Sequence, residues 1–385
     1  IDNRPPLEGA KRRFRAGTAG RRSGGTANEG RHMRARSTGK KVDAQVEVSL
    51  AEAETRGACL HSYSELVHKD LRRRLKLGQV VEPLPGLYAR KEYWDGLNRG
   101  QRTMHKIRGL SRLRPGWVFC GPSAAFVLGA SVSWSCLEPI EVVSSSGHRS
   151  LLGGRVHGRY ANDDDAYGVY SDGIWTTSPL RTALDCARRM PFRDAVAVVD
   201  SLMVSGRFSK EEFLSYVDGL PGGFRGVARA CEVASFADVR SGSGGESVAR
   251  AAMWELGFAA PELQVSFCDP IDGSEYFVDY LWRLPDGRTI AGELDGGEKY
   301  VNPKMTGGKS VLEVMRDERR RESRVTASCD AVVRFSPADV ADNWKFSQLL
   351  DAFGVPRDHE PLVVVEPSSG DEPLVDEVPL EAYGV

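Results

Sequence analysis

Cysteine is scarce in this sequence: seven residues in 385, Cys59, Cys120, Cys136, Cys186, Cys231, Cys268 and Cys329. They are widely spread and no two form a CxxC pair, which argues against a zinc ribbon and against a disulfide framework. They read as small buried hydrophobes of a reducing, cytoplasmic compartment. Long apolar runs are missing too. None approaches the ~18 residues of a membrane span, so no membrane partner is expected. No charged stretch leads into an apolar one near the start, so no secretory signal is read. No internal repeat is found. Net charge is close to nil, at −1, although 27% of the residues are charged.

What is present is unevenly distributed. Residues 1–41 are rich in Arg, Lys and Gly, and residues 353–385 are acidic and Pro-rich. Neither stretch has the apolar content to offset the entropy of ordering, so both are expected to be disordered tails. The first methionine is Met33, so residues 1–32 read as an untranslated leader; a basic arm that touches nucleic acid is the other reading. Between the tails, 41% hydrophobic content over 385 residues exceeds what one core usually serves. Two or three domains of α/β class are expected.

The stretch "VDAQVEVSLAEAETRG" has a helical pattern that Gly57 closes. Ser62 or Ser64 can cap a short helix with Leu66 and Val67 turned inward. "KDLRRRLKLG" then makes a second helix, with Leu71 and Leu75 inside and Arg72, Arg73, Arg74 and Lys76 outside. "QVVEPLPGLYAR" reads as two short extended pieces around the turn pair Pro85-Gly86. Helices, a basic second helix and a β-turn-β wing make a winged helix-turn-helix over residues 42–100.

This segment resembles the N-terminal winged-helix domain of AbiEi-type antitoxins. The resemblance rests on the basic helix, the following Gly, an apolar pair and "PGLYAR". It implies that the second helix enters the major groove of DNA, that Arg72, Arg73, Arg74 and Lys76 contact it, and that a cognate toxin protein is a partner. The bland alternative is a solvated charged helix face.

Residues 110–236 alternate strand-like and helix-like stretches and read as one α/β middle segment. Thr177 or Ser178 caps a helix with Pro179 near its first position, and Ser209 caps another. The phrases "PSAAFVLGA" and "TSPLRTALDCA" are similar to the segment that follows the winged helix in the same antitoxin-like proteins. No metal or nucleophile constellation is found here. Asp163, Asp164 and Asp165 form a polar loop run, and Arg181 with Asp185 forms a helical (i, i+4) pair. The Gly/Ser-rich residues 237–245 read as a linker, with a domain boundary near residue 240.

After the linker, Glu246 opens a helix that Gly257 ends. Then comes "FVDYLWRLPDGRTIAGELDGGEKY", a hairpin. The turn "LPDGR" suits a three-residue loop with a bulge, Gly287 taking the left-handed position. Leu284 and Arg288 then flank the loop, and Asp279 lies opposite Glu293. Residues two apart share a strand face, so Asp279, Glu293 and Asp295 all point one way. Val278, Tyr280, Trp282, Ile290 and Leu294 take the other face as core. Cross-strand neighbours are only ~5 Å apart, so unpaired carboxylates there would repel. A divalent cation removes the repulsion, and Mg²⁺ suits one or two carboxylates plus water. Lys299 could stabilise charge developing on phosphorus.

The string "GES…VDYLW…GELDGGEKY…DERRRES…VVRF" resembles the PD-(D/E)XK nuclease fold, in the branch related to very-short-patch-repair endonucleases. The resemblance covers about residues 243–350 and implies a restriction-endonuclease-like α/β/α architecture, with the domain expected over 246–352. Glu246 matches the helix acid, Asp279 the first strand acid, and Glu293 and Asp295 the "E-x-D-G" acids. Lys299 stands where the branch often has His, Arg321 and Glu322 match the charged helix, and Arg334 lies in the last strand. The pattern departs from the usual nuclease at Asp295, where a Lys is expected. The implied activity is Mg²⁺-dependent hydrolysis of DNA phosphodiesters. Asp279, Glu293 and Asp295 would hold the metal, Lys299 would stabilise the transition state and Glu246 would support the site. The rival reading is a non-catalytic antitoxin or repressor on a degenerate nuclease fold.

Overall fold

The computed structural model describes residues 28–161, 168–268, 273–295, 324–325 and 328–366, with the backbone alone for residues 28–39. The chain divides into two compact α/β units, Ile1–Ser123 with Glu138–Ser178, and Ala124–Leu137 with Pro179–Val385.

The first unit begins with α1 (Asn28–Thr55). This helix reaches back into the stretch expected as a disordered tail; residues 1–27 lie outside the described residues. Gly57 follows it at φ +58°, a conformation that costs a side-chain-bearing residue energy and so ends the helix. Next come β1 (Leu60–His61) and α2 (Glu65–Lys76). The sequence predicted two helices here, and the structure has one. No Gly or Pro interrupts residues 65–76, and Asp70, at the expected joint, bonds forward to Arg73 and Arg74 on the next turn. Ser64 caps it, its hydroxyl accepting the Val67 N–H at 3.3 Å. Val67 and Leu71, four apart, turn inward together, while Leu66 is 55% exposed instead of buried.

Strands β2 (Val80–Leu84) and β3 (Leu87–Arg90) form a hairpin around Pro85-Gly86, with Gly86 at φ +82°. The sheet order is β1-β3-β2. Val46, Leu50 and Ala53 of α1 pack with Val67, Leu71, Leu60, Val80 and Tyr88 in one apolar core. The unit continues through α3 (Lys91–Asp95), α4 (Arg99–Leu113) and the first part of α5 (Gly121–Val127). Strands β4 (Ile140–Ser144), β5 (Arg149–Leu151) and β6 (Val156–Tyr160) form a second sheet in the order β4-β6-β5. Strands β7 (Gly168–Ser171) and β8 (Ile174–Thr177) pair as a hairpin. The acid run Asp163–Asp165 lies outside the described residues.

The second unit carries α6 (Pro179–Ala187), α7 (Phe192–Val204), α8 (Lys210–Asp218), α9 (Val227–Phe236) and α10 (Gly244–Glu255). The expected middle segment is therefore divided: its strands belong to the first unit and α6–α9 to the second. The linker expected at 237–245 is built into that second unit. The reason is Asp200 of α7, which is 1% exposed. Its carboxylate accepts the Asp238 N–H at 2.8 Å, the Ser247 hydroxyl at 2.7 Å and Arg250 at 2.7 Å. A buried carboxylate needs such donors, and they lie on both sides of the Gly/Ser run. Ser243 within that run caps α10.

The four-stranded sheet follows: β9 (Glu262–Cys268), β10 (Glu275–Arg283), β11 (Thr289–Leu294) and β12 (Ala331–Phe335), in the order β12-β11-β10-β9. The first three form an antiparallel meander, and β12 runs parallel to β11. The β10–β11 turn has the expected form: Leu284 N–H donates to the Arg288 carbonyl at 2.8 Å, and Gly287 sits at φ +87°. Two apolar clusters cover the two faces of the sheet. Tyr280, Trp282, Ile290, Val333 and Phe335 join Met253 of α10 and Leu256 just after it in one. Leu281 and Ala291 join Val325 in the other. Helices α11 (Pro337–Ala341) and α12 (Asn343–Ala352) complete the unit. Residues 353–366, expected as a tail, pack instead: Val355 is 4% exposed and the Arg357 guanidinium lies 4.0 Å over the Phe258 ring.

Candidate functional site

Two charged clusters singled out in the sequence can be followed into the structure. The first is the basic run of α2. Arg72 and Lys76 are exposed and make no ion pair among the described residues. Arg73 is exposed but pairs with Asp43 at 3.0 Å and Asp70 at 2.6 Å. Arg74 departs from expectation. It is buried, pairing with Asp70 at 2.6 Å, Asp43 at 3.2 Å and Glu47 of α1. Glu47 also pairs with Arg90 of β3. Hydrogen bonds from Arg74 and Arg90 hold the Glu47 carboxyl below its usual range. Helical geometry explains the split. Arg74 lies on the Val67–Leu71 side of α2, which faces α1, whereas Arg72 and Lys76 lie four apart on the outer side.

The second cluster is the acidic hairpin. The observed register sets Tyr280 opposite Gly292 and Arg283 opposite Thr289, the offset expected from the turn, and the paired residues end at Tyr280 and Gly292, one short of Asp279 and Glu293. The face assignment differs from the strict alternation predicted. Val278 joins the cluster of Leu281 and Ala291, not that of Tyr280 and Trp282. Residues three apart on one face require a phase shift between them. It falls where Gln264 of the neighbouring strand takes φ +51°. The shift sets Asp279 half-buried and aimed along the sheet: its Oδ2 accepts the Leu294 N–H at 2.9 Å, and its Oδ1 lies 3.4 Å from Gln264 Nε2.

The same Gln264 amide donates to Glu246 Oε2 at 2.9 Å. Glu246 and Asp279 therefore converge on one side-chain nitrogen. Burial pushes the Glu246 carboxyl above its usual value, and the Asp279 charge adds to the effect. Glu246 also serves its own helix. Its carboxylate accepts the Gly242 N–H at 2.8 Å and the Ser243 hydroxyl at 3.0 Å. Tyr280 locks this helix start onto the sheet, its hydroxyl donating to the Glu246 carbonyl at 2.9 Å.

Glu293 is 4% exposed and paired with Arg334 at 2.8 Å. The parallel register makes them cross-strand neighbours. Arg334 also approaches Asp295 at 3.9 Å. Asp295 is exposed at the strand end. Lys299, Arg321 and Glu322 lie outside the described residues. Among the described residues, no three His, Cys, Asp or Glu side chains form a metal-holding group. The expected triad of Asp279, Glu293 and Asp295 is thus not brought together as a metal-holding group, and the two acids that do converge, Glu246 and Asp279, meet at the Gln264 amide N–H₂, a donor. Gln264 escaped the sequence reading. Its role depends on the β9 register and a left-handed backbone, and neither leaves a mark in "ELQVS".

No family model and no solved structure matches the chain. It is similar to two uncharacterized proteins of Mycobacterium tuberculosis, from strains CDC 1551 / Oshkosh and ATCC 25618, each 34% identical over 151 residues and matched over 38% of this chain. The chain spans about half the length of these curated relatives, at 50% of each. Among the described residues, no helix is long and apolar enough to cross a membrane.

Proposed function

We propose that this chain is a cytoplasmic DNA-binding protein whose C-terminal sheet is a PD-(D/E)XK-like, divalent-metal-dependent endonuclease. The observation that carries the reading is the convergence of Glu246 and Asp279 on Gln264, at the point where the β9–β10 alternation shifts phase. An α-helix, an antiparallel meander and a fourth strand parallel to the third, with acids on the helix and on the second and third strands, is the arrangement the family resemblance implies. Glu246 and Asp279 would hold Mg²⁺, which when bound lowers the pKa of a coordinated water and acts as a Lewis acid at phosphorus. Gln264 orients both carboxylates. Arg334, the ion-pair partner of Glu293, would offer a guanidinium for a phosphate oxygen. On the winged-helix reading of the first unit, Arg72 and Lys76 are the phosphate-facing cations of α2, while Arg74 fastens α2 to α1.

A second reading, a non-catalytic AbiEi-like antitoxin or repressor with a toxin partner, draws support from two observations. Glu293 already has Arg334 as its counter-ion, and Glu246 is engaged as a helix cap. Incubating the protein with supercoiled plasmid, in Mg²⁺ or Mn²⁺ and in EDTA, separates the two. The nuclease reading expects metal-dependent nicking that an Asp279→Ala/Glu293→Ala variant lacks. A DNA shift by both proteins with no nicking by either would favour the second reading.

A further inference from the structure

A cleft of about 990 Å³ opens in the first unit, outside both charged clusters. The end of α1, β1, α4 and the β7–β8 hairpin line it. Its volume is at the upper end of the ~300–1,000 Å³ usual for small-ligand sites. Two kinds of side chain dominate its walls, guanidinium groups and aromatic rings.

The charges leave a positive surplus. Glu54 in the wall already pairs with Arg90 at 2.7 Å, and Asp172 pairs with Arg108 at 2.6 Å. Among the described residues, Arg56 has one ion-pair partner, the exposed Glu52, at 3.4 Å. Arg112 makes no ion pair among the described residues. Two guanidinium groups thus remain for an anion. Arg108 reaches its place because Gly57 has no side chain: a Cβ there would come within 2.7 Å of the Arg108 Nη1.

The rings are presented, not buried. Tyr63 is 73% exposed and Tyr170 is 61% exposed. Each is braced by a second ring: the Tyr63 centroid lies 4.1 Å from that of His61, and the Tyr170 centroid 5.0 Å from that of Trp175. A braced ring with an open face is a stacking platform, and it loses little entropy when a flat ligand settles on it. Guanidinium groups beside such platforms are the combination that holds nucleotides without reading their sequence.

We propose that this cleft binds a nucleotide, with the base stacked on Tyr63 or Tyr170 and the phosphate held by Arg56 and Arg112. The shared chemistry is a planar base plus a phosphate, and its source is either an unpaired stretch of a nucleic-acid strand or a free mononucleotide. The inference concerns the first unit alone and stands whether or not the C-terminal acids hold a metal.

The test is fluorescence anisotropy of a labelled short oligothymidylate on the full chain, with thymidine monophosphate, inorganic phosphate and blunt duplex as competitors. The wild type binds saturably, and Tyr63→Ala/Tyr170→Ala and Arg56→Glu/Arg112→Glu each weaken binding about tenfold or more, the scale of lost base stacking. All four residues are exposed, so both variants keep the wild-type melting temperature. Thymidine monophosphate competing as well as the oligonucleotide identifies the free nucleotide as the source; competition by the strand alone identifies nucleic acid. Absence of binding, equal binding by the variants, or displacement by inorganic phosphate as readily as by the monophosphate overturns the proposal. An Asp279→Ala variant keeps this binding unchanged, which separates failure here from failure of the nuclease reading.

Discussion

The basic run of α2 and the acidic hairpin of the second unit make an instructive pair. Both are like-charge clusters in the sequence, and in both the fold neutralises part of the cluster with a partner far away in the chain. Asp43 and Glu47 of α1 take up Arg74, and Arg334 of β12 takes up Glu293. What remains is smaller than the motif suggested: Arg72 and Lys76 make no ion pair among the described residues, whereas on the hairpin Asp279 is held by the Leu294 N–H and Asp295 lies exposed at the strand end. A charge run in a sequence is therefore an upper bound on the charge available to a ligand. The residues that lower the bound are set by packing.

This comparison is broken most severely at Arg74. Replacing it with Ala removes the cation common to Asp70, Asp43 and Glu47, while Arg73 still pairs with the first two and Arg90 with the third. With Asp43 and Glu47 half exposed, the loss falls between that of a surface pair and that of a buried one, about 2 kcal/mol. Urea denaturation should show that loss. A cost under ~1 kcal/mol, the level of a surface pair, would put Arg74 back among the exposed cations of the helix.

The mirror test is Arg334→Met, which removes the counter-ion of Glu293 and preserves bulk. On the metal-site account, Mn²⁺ affinity rises about tenfold, because a nearby cation no longer repels the ion, worth about 1.4 kcal/mol. Isothermal titration measures it, and an unchanged affinity would mean that Arg334 lies outside the metal's reach. On the DNA-binding reading, Arg72→Ala/Lys76→Ala removes two phosphate-facing charges. The slope of log affinity against log salt should then flatten by about 2 for duplex DNA of any sequence.

A smaller effect concerns Glu246. Its folded-state carboxyl titrates above the ordinary glutamate value, through burial and the Asp279 charge. The folded state thus binds more protons than the unfolded state as pH rises from 4.5, so this group's contribution to stability falls across that window. Glu246→Gln should flatten the fall while keeping an acceptor for the Gly242 N–H. Urea midpoints measured from about pH 4.5 to neutrality check the slope, and an unaltered slope would count against a proton held on Glu246.

Local chemistry was legible where short-range rules act. The "PDG" turn, the β10–β11 register from Tyr280–Gly292 to Arg283–Thr289, the Ser64 and Ser209 caps, the Gly57 stop and the Pro85-Gly86 hairpin all follow from residues a few positions apart. Three features were not legible. The Gly/Ser run at 237–245 looks like a linker until Asp200, buried on another helix, draws Asp238, Ser247 and Arg250 around it. The phase shift at Asp279 depends on a left-handed Gln264 one strand away. The cleft beside Tyr63 and Tyr170 joins residues more than a hundred positions apart, and no local pattern marks them.

The account's central claim is that Glu246 and Asp279 together form a divalent-cation site. Titrating the full chain with Mn²⁺ and counting bound ions by electron paramagnetic resonance tests it most directly. The account predicts saturable binding in the wild type, loss in Asp279→Ala, and retention in Asp295→Ala, since Asp295 is exposed at the strand end. Binding that survives Asp279→Ala, or no binding by the wild type, would contradict it.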